Sequence, residues 1–177
     1  MEEKLPYSEL PNSPEKYTPE AVAARLIDGL GFRYYWATID LRTEDLEYRP
    51  TPEARSSMET LEHIYVLVQI IKATAQQKPF DREAEIKEMT YAQLRAETLK
   101  DLKLASELLR NSNAGTLDGF PVQLKKGEDM IEKPFWNIIN GMITDAVSHV
   151  GQIVSFRRTS GNPVPKRVSY FSGDVRE

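Results

Sequence analysis

The sequence of 177 residues contains no cysteine. This absence excludes a disulfide framework, a thiolate metal site and a cysteine nucleophile. The 23 basic residues do not outnumber the 27 acidic ones and no basic run stands out, so we expect no nucleic-acid partner. No apolar run approaches the length needed to cross a membrane, and the first residues do not resemble a secretory signal. These features predict a cytoplasmic protein that does not contact a membrane.

The sequence also lacks an internal repeat, a glycine-rich phosphate loop and a serine-centred triad motif. What it does contain is ordinary for a globular protein: 40% hydrophobic and 28% charged residues. The length suits one domain over residues 1–177.

Four long segments combine helix start signals with apolar residues at helical spacing. The start signals are capping residues, capping boxes and prolines near the first turn. The predicted helices run from Thr18 to about Leu41, from Ser56 to about Gln77, from Thr90 to Asn111, and from Pro134 to about Ser160. They predict an all-α fold, a four-helix bundle in which the longer connections allow a crossover.

The remaining segments are an arm, a long connection and a tail. Prolines at positions 6, 11 and 14 predict an extended N-terminal arm over residues 1–17. Residues 161–177 form a polar tail whose few apolar side chains are expected to pack on the helices. In the 112–133 connection, Phe120, Val122 and Leu124 alternate with polar residues, which predicts a short strand or hairpin. We expect Trp36 to cover an edge of the bundle, with contact to a partner subunit as the alternative.

The chain has only two histidines, His63 and His149. His149 and Asp145 are four residues apart on the last predicted helix, so they share one face, in line with core-facing apolar residues. His63 lies on the flank of the apolar face of the second helix. One interpretation is a buried Asp–His pair that satisfies itself by hydrogen bonding. The other is a metal site of two histidines and one aspartate inside the bundle, with a coordination position left open.

Two blocks of the sequence resemble DinB/YfiT-like proteins. The segment 46–64, Leu-Glu-Tyr-Arg-Pro-Thr-Pro-Glu-Ala-Arg-Ser-Ser-Met-Glu-Thr-Leu-Glu-His-Ile, is similar to the entry into their second helix, with the first metal histidine at His63. The segment 145–152, Asp-Ala-Val-Ser-His-Val-Gly-Gln, resembles the motif of their last helix. In that family the motif is followed by basic residues, a glycine and a proline at the end of the helix, and this chain has such residues in that place. These are Arg157, Arg158, Gly161 and Pro163.

The resemblance implies a four-helix bundle that holds a divalent metal, nickel or zinc with iron also open, and it implies frequent homodimers. The family uses three histidines, whereas Asp145 stands where the first histidine of the last-helix pair belongs. Aspartate is itself a zinc ligand, so the implied metal site is His63, Asp145 and His149. Replacing a neutral histidine by a carboxylate lowers the net charge of the site, and a weaker electrophile is expected.

Three functions are open, and the resemblance implies the first of them. The first is a metal-dependent enzyme of the DinB-like superfamily, with thiol-transfer or hydrolytic chemistry on a small-molecule substrate such as a low-molecular-weight thiol. The second is a helical bundle that binds a metal or small ligand without turnover. The third is a metal-free interaction protein in which the Asp–His pair is a polar plug.

Overall fold

The computed structural model of the chain describes residues 4–85, 87–113 and 115–176. It is mostly helical, with a few short strands. The helices are α1 Pro19–Thr38, α2 Thr43–Glu47, α3 Ser57–Ala75, α4 Tyr91–Arg110 and α5 Thr144–Thr159, together with a 3-10 turn at Leu117–Gly119 and a π-helical turn at Ile138–Ile143 directly before α5. The strands are β1 Phe80–Asp81, β2 Val122–Lys126, β3 Asp129–Lys133, β4 Val168–Ser169 and β5 Asp174–Val175.

The predicted starts of α1, α3 and α4 are confirmed at the level of single hydrogen bonds. The Ser56 hydroxyl accepts from the Glu59 backbone N–H at 3.1 Å, and the Glu59 carboxylate accepts from the Ser56 N–H at 2.7 Å. Thr90 and Gln93 form the same reciprocal pair at the start of α4. These bonds satisfy amides that the first helical turn leaves without partners. The short helix α2, of five residues, was not predicted from the sequence.

The four long helices pack around one apolar core. α1 and α3 each pack against both α4 and α5. The order around the core is therefore α1, α4, α3, α5, which differs from the order along the chain, as a crossover requires. Fully buried side chains such as Ile27, Leu61 and Leu102 meet in the middle. Each such side chain contributes about 1.5–3 kcal/mol to stability through burial. Among the described residues, no helix is long and apolar enough to span a membrane.

The connection between α4 and the last helix contains the predicted hairpin. β2 and β3 pair antiparallel, and Gly127, with φ of 58°, lies in the turn between them. β1 pairs parallel with β2 and completes a three-stranded sheet. Phe120 and Val122 are buried in the core, so the alternation seen in the sequence marks the side of the hairpin that faces the helices.

The N-terminal arm packs against α1 in its described part, from residue 4. The Tyr7 ring is buried, and its hydroxyl donates to Asp28 at 3.1 Å. A Cβ atom at Gly31 would lie 2.5 Å from that ring, so only glycine permits this approach. The indole N–H of Trp36 donates to the Ser8 carbonyl, which leaves Trp36 5% exposed. Trp36 therefore covers an edge of the helices, as expected.

The C-terminal tail packs on α1 through Tyr170 of its β4–β5 hairpin and through Arg167, whose guanidinium lies over the Trp36 ring. The Tyr170 ring meets Phe32 edge to face, and its hydroxyl donates to the Arg33 carbonyl. The neighbouring Phe171 is 103% exposed, so it does not share this contact.

Asp45 of α2 joins this helix to the end of α5. Its buried carboxylate accepts from the guanidinium and the backbone N–H of Arg42, from the Ser160 hydroxyl and from the Asn162 amide. The Arg42 guanidinium contributes most to holding the pKa of Asp45 well below its usual range, against the raising effect of burial. Ser160 and Asn162 lower this pKa further.

At its π turn, the last helix changes which sequence positions face the core. Ile138 and Ile143 are both buried although they are five residues apart, a spacing that a π turn, and not an α-helix, brings onto one face. From there the residues that face the core follow α-helical spacing, and they are Ala146, Val150 and Ile153.

The prediction that Asp145 and His149 face the core is therefore wrong. In an unbroken α-helix, Asp145 would lie on the same core-facing side as Ile138 and Met142. The π turn accommodates one additional residue, so the next positions face the core instead. The side chain of Asp145 is 49% exposed and that of His149 is 15% exposed. Both lie on the flank of α5.

Candidate metal centre

His63 occupies the flank of α3, as the sequence predicts. The central line of this helix is formed by Leu61, Ile64 and Val68, all fully buried. The side chain of His63 is 29% exposed, because it stands beside that line at the groove between α3 and α5.

The flank of α5 carries Asp145 and His149 toward the same groove. The rings of His63 and His149 lie 4.6 Å apart between centroids, with an angle of 89° between their planes. The carboxylate of Asp145 faces both rings: its Oδ2 is 3.5 Å from His63 Nε2, and its Oδ1 is 3.4 Å from His149 Nε2. The predicted convergence of the three side chains is confirmed.

These distances suit three ligands better than a hydrogen-bonded pair. A normal N–H···O hydrogen bond spans about 2.7–3.2 Å, less than either nitrogen–oxygen distance here. Tetrahedral zinc with bonds of about 2.0–2.1 Å separates neighbouring ligand atoms by roughly 3.3–3.4 Å. One ligand atom from each residue lies within 4.8 Å of the other two. Because the side chains are partly exposed, small rotations can bring the two nitrogens closer.

Gln152 contacts the His149 ring from the same helix. His149 Nδ1 lies 2.8 Å from Gln152 Oε1. In the tautomer in which Nδ1 carries the proton, the ring donates to this amide oxygen. The lone pair then lies on Nε2, the nitrogen that faces Asp145. Metal-binding histidines commonly have this kind of support from a neighbouring acceptor.

The electrostatics around His63 favour a neutral ring. Burial lowers the pKa of His63 below its usual 6.5. The cation of Arg55 and the ring of His149 lower it further, and Asp145 opposes them. The imidazole is consequently uncharged near pH 7, which is the form that binds a metal.

A small molecule can approach the three residues from two sides. A groove of about 330 Å³ beside His63 is lined by apolar side chains, among them Met58, Val66 and Met89, and by Glu62 and Lys87.

The second groove, of about 520 Å³, has Asp145, Leu67 and Met142 in its walls together with uncharged polar side chains. These walls include Asn137, Asn140, Thr144 and Ser148. This polar line was not predicted, although the four-residue spacing of Asn140, Thr144 and Ser148 indicates one helix face.

Comparisons of the chain with protein-family models, curated proteins and solved structures find no match. The resemblance to DinB/YfiT-like proteins therefore rests on the two sequence blocks alone. Membership of that family stays a prediction.

Proposed function

We propose that the chain is a metal-dependent enzyme of the DinB-like superfamily and that its helices form the four-helix bundle of that type. His63, Asp145 and His149 hold a divalent metal, with zinc or nickel as the best candidates. The convergence of their ligand atoms within 4.8 Å carries the proposal. It is supported by the contact of Gln152 with His149 Nδ1, on the side of the ring opposite the Nε2 that faces Asp145, and by the lowered pKa of His63.

The residues present fit such an ion. Two imidazoles and one carboxylate are a donor set that zinc accepts, and three protein ligands leave room for a substrate or water. Asp145 offsets one positive charge of the ion, which suits a position that is half open to solvent. When bound, the metal supplies Lewis acidity and lowers the pKa of a coordinated thiol or water.

The protein side chains would bind and orient the substrate. The amides of Asn137 and Asn140 and the hydroxyl of Ser148 offer hydrogen bonds to a neutral polar group in the groove beside Asp145. The apolar groove beside His63 accepts a hydrocarbon or thioether portion. A low-molecular-weight thiol with a polar end and an electrophile with an apolar end match this division, so thiol transfer is the proposed reaction and hydrolysis is the alternative.

Metal content tests the proposal directly. Protein expressed without a histidine tag and measured by mass spectrometry of its metals should hold about one divalent ion per chain. The His149→Ala variant should lose the ion, because one of its three ligands is gone. Glu62→Gln is the matched control: Glu62 is an exposed acid beside His63 that does not belong to the group, so the metal should stay.

Thermal melting gives an independent measurement. A ligand specific for the folded state stabilises it by about 2.7 kcal/mol at a hundredfold excess over its dissociation constant. Zinc or nickel should therefore raise the melting temperature of the wild type and of Glu62→Gln but not that of His149→Ala. Equal shifts in all three proteins would assign the effect to surface binding and overturn the site. Metal binding without turnover of thiols or esters would support the non-catalytic interpretation instead.

A further inference from the structure

A further cavity, of about 560 Å³, lies between the start of α1 and the start of the last helix. It does not include any of the three candidate metal ligands. Tyr17 of the arm, Trp136 and Phe135 form aromatic walls, Leu117 adds an aliphatic surface, and Glu20 and Asp118 bring two acidic side chains.

The aromatic side chains at this cavity are unusually open to solvent. Tyr17 is 97% exposed and Trp136 is 74% exposed, whereas Phe135 is 7% exposed. Isolated exposed aromatics are common on protein surfaces, but here two of them border one concave apolar space. An aromatic ring carries a negative π face, which attracts a cation placed over it.

The charge at the cavity has one sign. The side chains that line it include Glu20 and Asp118, and no lysine, arginine or histidine is among its described lining residues. Glu20 is 1% exposed, and its Oε1 accepts from the Thr116 backbone N–H at 2.8 Å. Its Oε2 has no hydrogen-bond partner among the residues that the structure describes. A buried carboxylate oxygen without a partner is costly.

Glu20 is nevertheless ionised at neutral pH. Burial alone would raise the pKa of Glu20, but backbone N–H groups of Glu20, Thr116 and Gly115 together hold it below its usual value. A negative charge therefore lies in the wall of the cavity, covered by the segment around Thr116. A cation in the cavity would be attracted by this charge without displacing that segment, because charge interactions under a protein surface are weakly screened.

We propose that this cavity binds an organic cation, an amine or quaternary ammonium group with an apolar body. The aromatic faces of Tyr17 and Trp136 attract the cationic group, the two carboxylates supply the opposite charge, and the apolar walls accept the hydrocarbon part. This inference is independent of the metal centre, since the two sites share none of the residues that define them.

The test is a calorimetric titration of the full chain with three hexyl compounds that differ in their head group. Hexyltrimethylammonium should bind, while 1-hexanol and hexanoate should bind at least about tenfold more weakly, because they lack the positive charge. Trp136→Ala should weaken binding of the cation roughly tenfold. Asp118→Asn should weaken it less and should reduce its dependence on salt.

Phe171→Ala is the matched control, because Phe171 is a fully exposed aromatic residue outside the cavity. It should bind the cation as the wild type does. Equal affinity for hexyltrimethylammonium and 1-hexanol would overturn the proposal, and so would unchanged binding in Trp136→Ala. Absence of saturable binding at millimolar concentrations would overturn it too, including the case in which sedimentation shows that a second copy of the chain covers Trp136.

Discussion

The ring of His63 on α3 stands edge-on to the ring of His149 on α5, 4.6 Å away between centroids. The two residues are far apart in the sequence and belong to different helices, so this contact exists only in the folded chain. Asp145 faces both rings across gaps of 3.4 and 3.5 Å. Because the three side chains come from α3 and α5, a metal bound by them would also hold these two helices together.

Replacing Asp145 by histidine should give three imidazole ligands while the protein stays folded. The side chain of Asp145 is 49% exposed, so the change should alter the free energy of unfolding by no more than about 0.5 kcal/mol. Nickel or zinc should bind Asp145→His at least as tightly as the wild type, as measured by competition with a metal indicator. Asp145→Ala is the control and should bind more weakly than either.

The outcome for Asp145→His also separates the metal site from a polar plug. Removing one partner of a buried charged pair costs about 3–5 kcal/mol. A variant that is destabilised by that amount and gains nothing from metal would favour the plug, against the exposure of Asp145 in the structure.

Gln152 should affect the metal through the His149 ring. Gln152→Leu removes the polar contact at Nδ1, so the ring loses this support for its orientation. We expect a loss of roughly 10–100-fold in metal affinity. Gln152→Glu retains an acceptor and should keep the affinity near that of the wild type. Because Gln152 is exposed, both variants should melt like the wild type without metal; an equal loss of affinity in both would contradict the orienting role.

Gly31→Ala should destabilise the protein by about 1–3 kcal/mol. The added methyl group would lie 2.5 Å from the Tyr7 ring, which must then shift from its place on α1. Gly29→Ala on the same helix is the matched control. Its nearest heavy atom is Arg33 Nη1 at 3.5 Å, so the higher helix propensity of alanine should stabilise it by about 0.5–1 kcal/mol. Urea unfolding of both variants would measure the difference, and equal effects would contradict the close approach of the arm.

Asp45→Asn should lower the free energy of unfolding by about 2 kcal/mol at pH 7, because charged hydrogen bonds of this kind contribute about 1.5–3 kcal/mol. The folded-state pKa of Asp45 lies below the unfolded value, so the contribution of the carboxylate is complete above about pH 4–5. It is lost as the pH falls through the unfolded value toward the folded one. The gap between wild type and variant in urea unfolding should therefore narrow between pH 5 and about pH 2.

Glu44→Gln on the same short helix provides the control for Asp45. The side chain of Glu44 is 69% exposed, and its ion pair with Arg42 spans 3.8 Å. Its loss should change stability by no more than about 0.5 kcal/mol at any pH in this range. A pH dependence that is the same in Asp45→Asn and in the wild type would show that another carboxyl group dominates.

Local chemistry made much of the helical structure predictable. A serine or threonine followed three residues later by glutamate or glutamine is typical of a capping box at a helix start. Ser56 with Glu59 and Thr90 with Gln93 have this spacing, and the structure contains both capping boxes. The alternation around Val122 likewise predicted the hairpin, because a strand with one buried face leaves that pattern. The short helix α2 has no such signal, since its five residues hold only Leu46 as an aliphatic side chain and its cap uses Arg42.

The sequence predicted which three side chains converge but not how exposed two of them are. The scarcity of histidine and the four-residue spacing from Asp145 to His149 pointed to the three residues. The exposure of Asp145 and His149 was predicted wrongly, since nothing in the sequence between Ile138 and Ile143 indicates a π turn. Arg55 was missed for a different reason, because it affects His63 through space from the segment before α3.

The π turn also bears on how this helix should be compared with others. Such a turn is equivalent to an α-helix with one inserted residue. A related chain without that residue would have a continuous helix, and an ungapped alignment on Asp145 and His149 would then pair Trp136 and Ile138 with residues from a different face. An alignment that opens a one-residue gap within 138–143 would keep both halves in phase. Searches for relatives of this chain should therefore allow an insertion at that point.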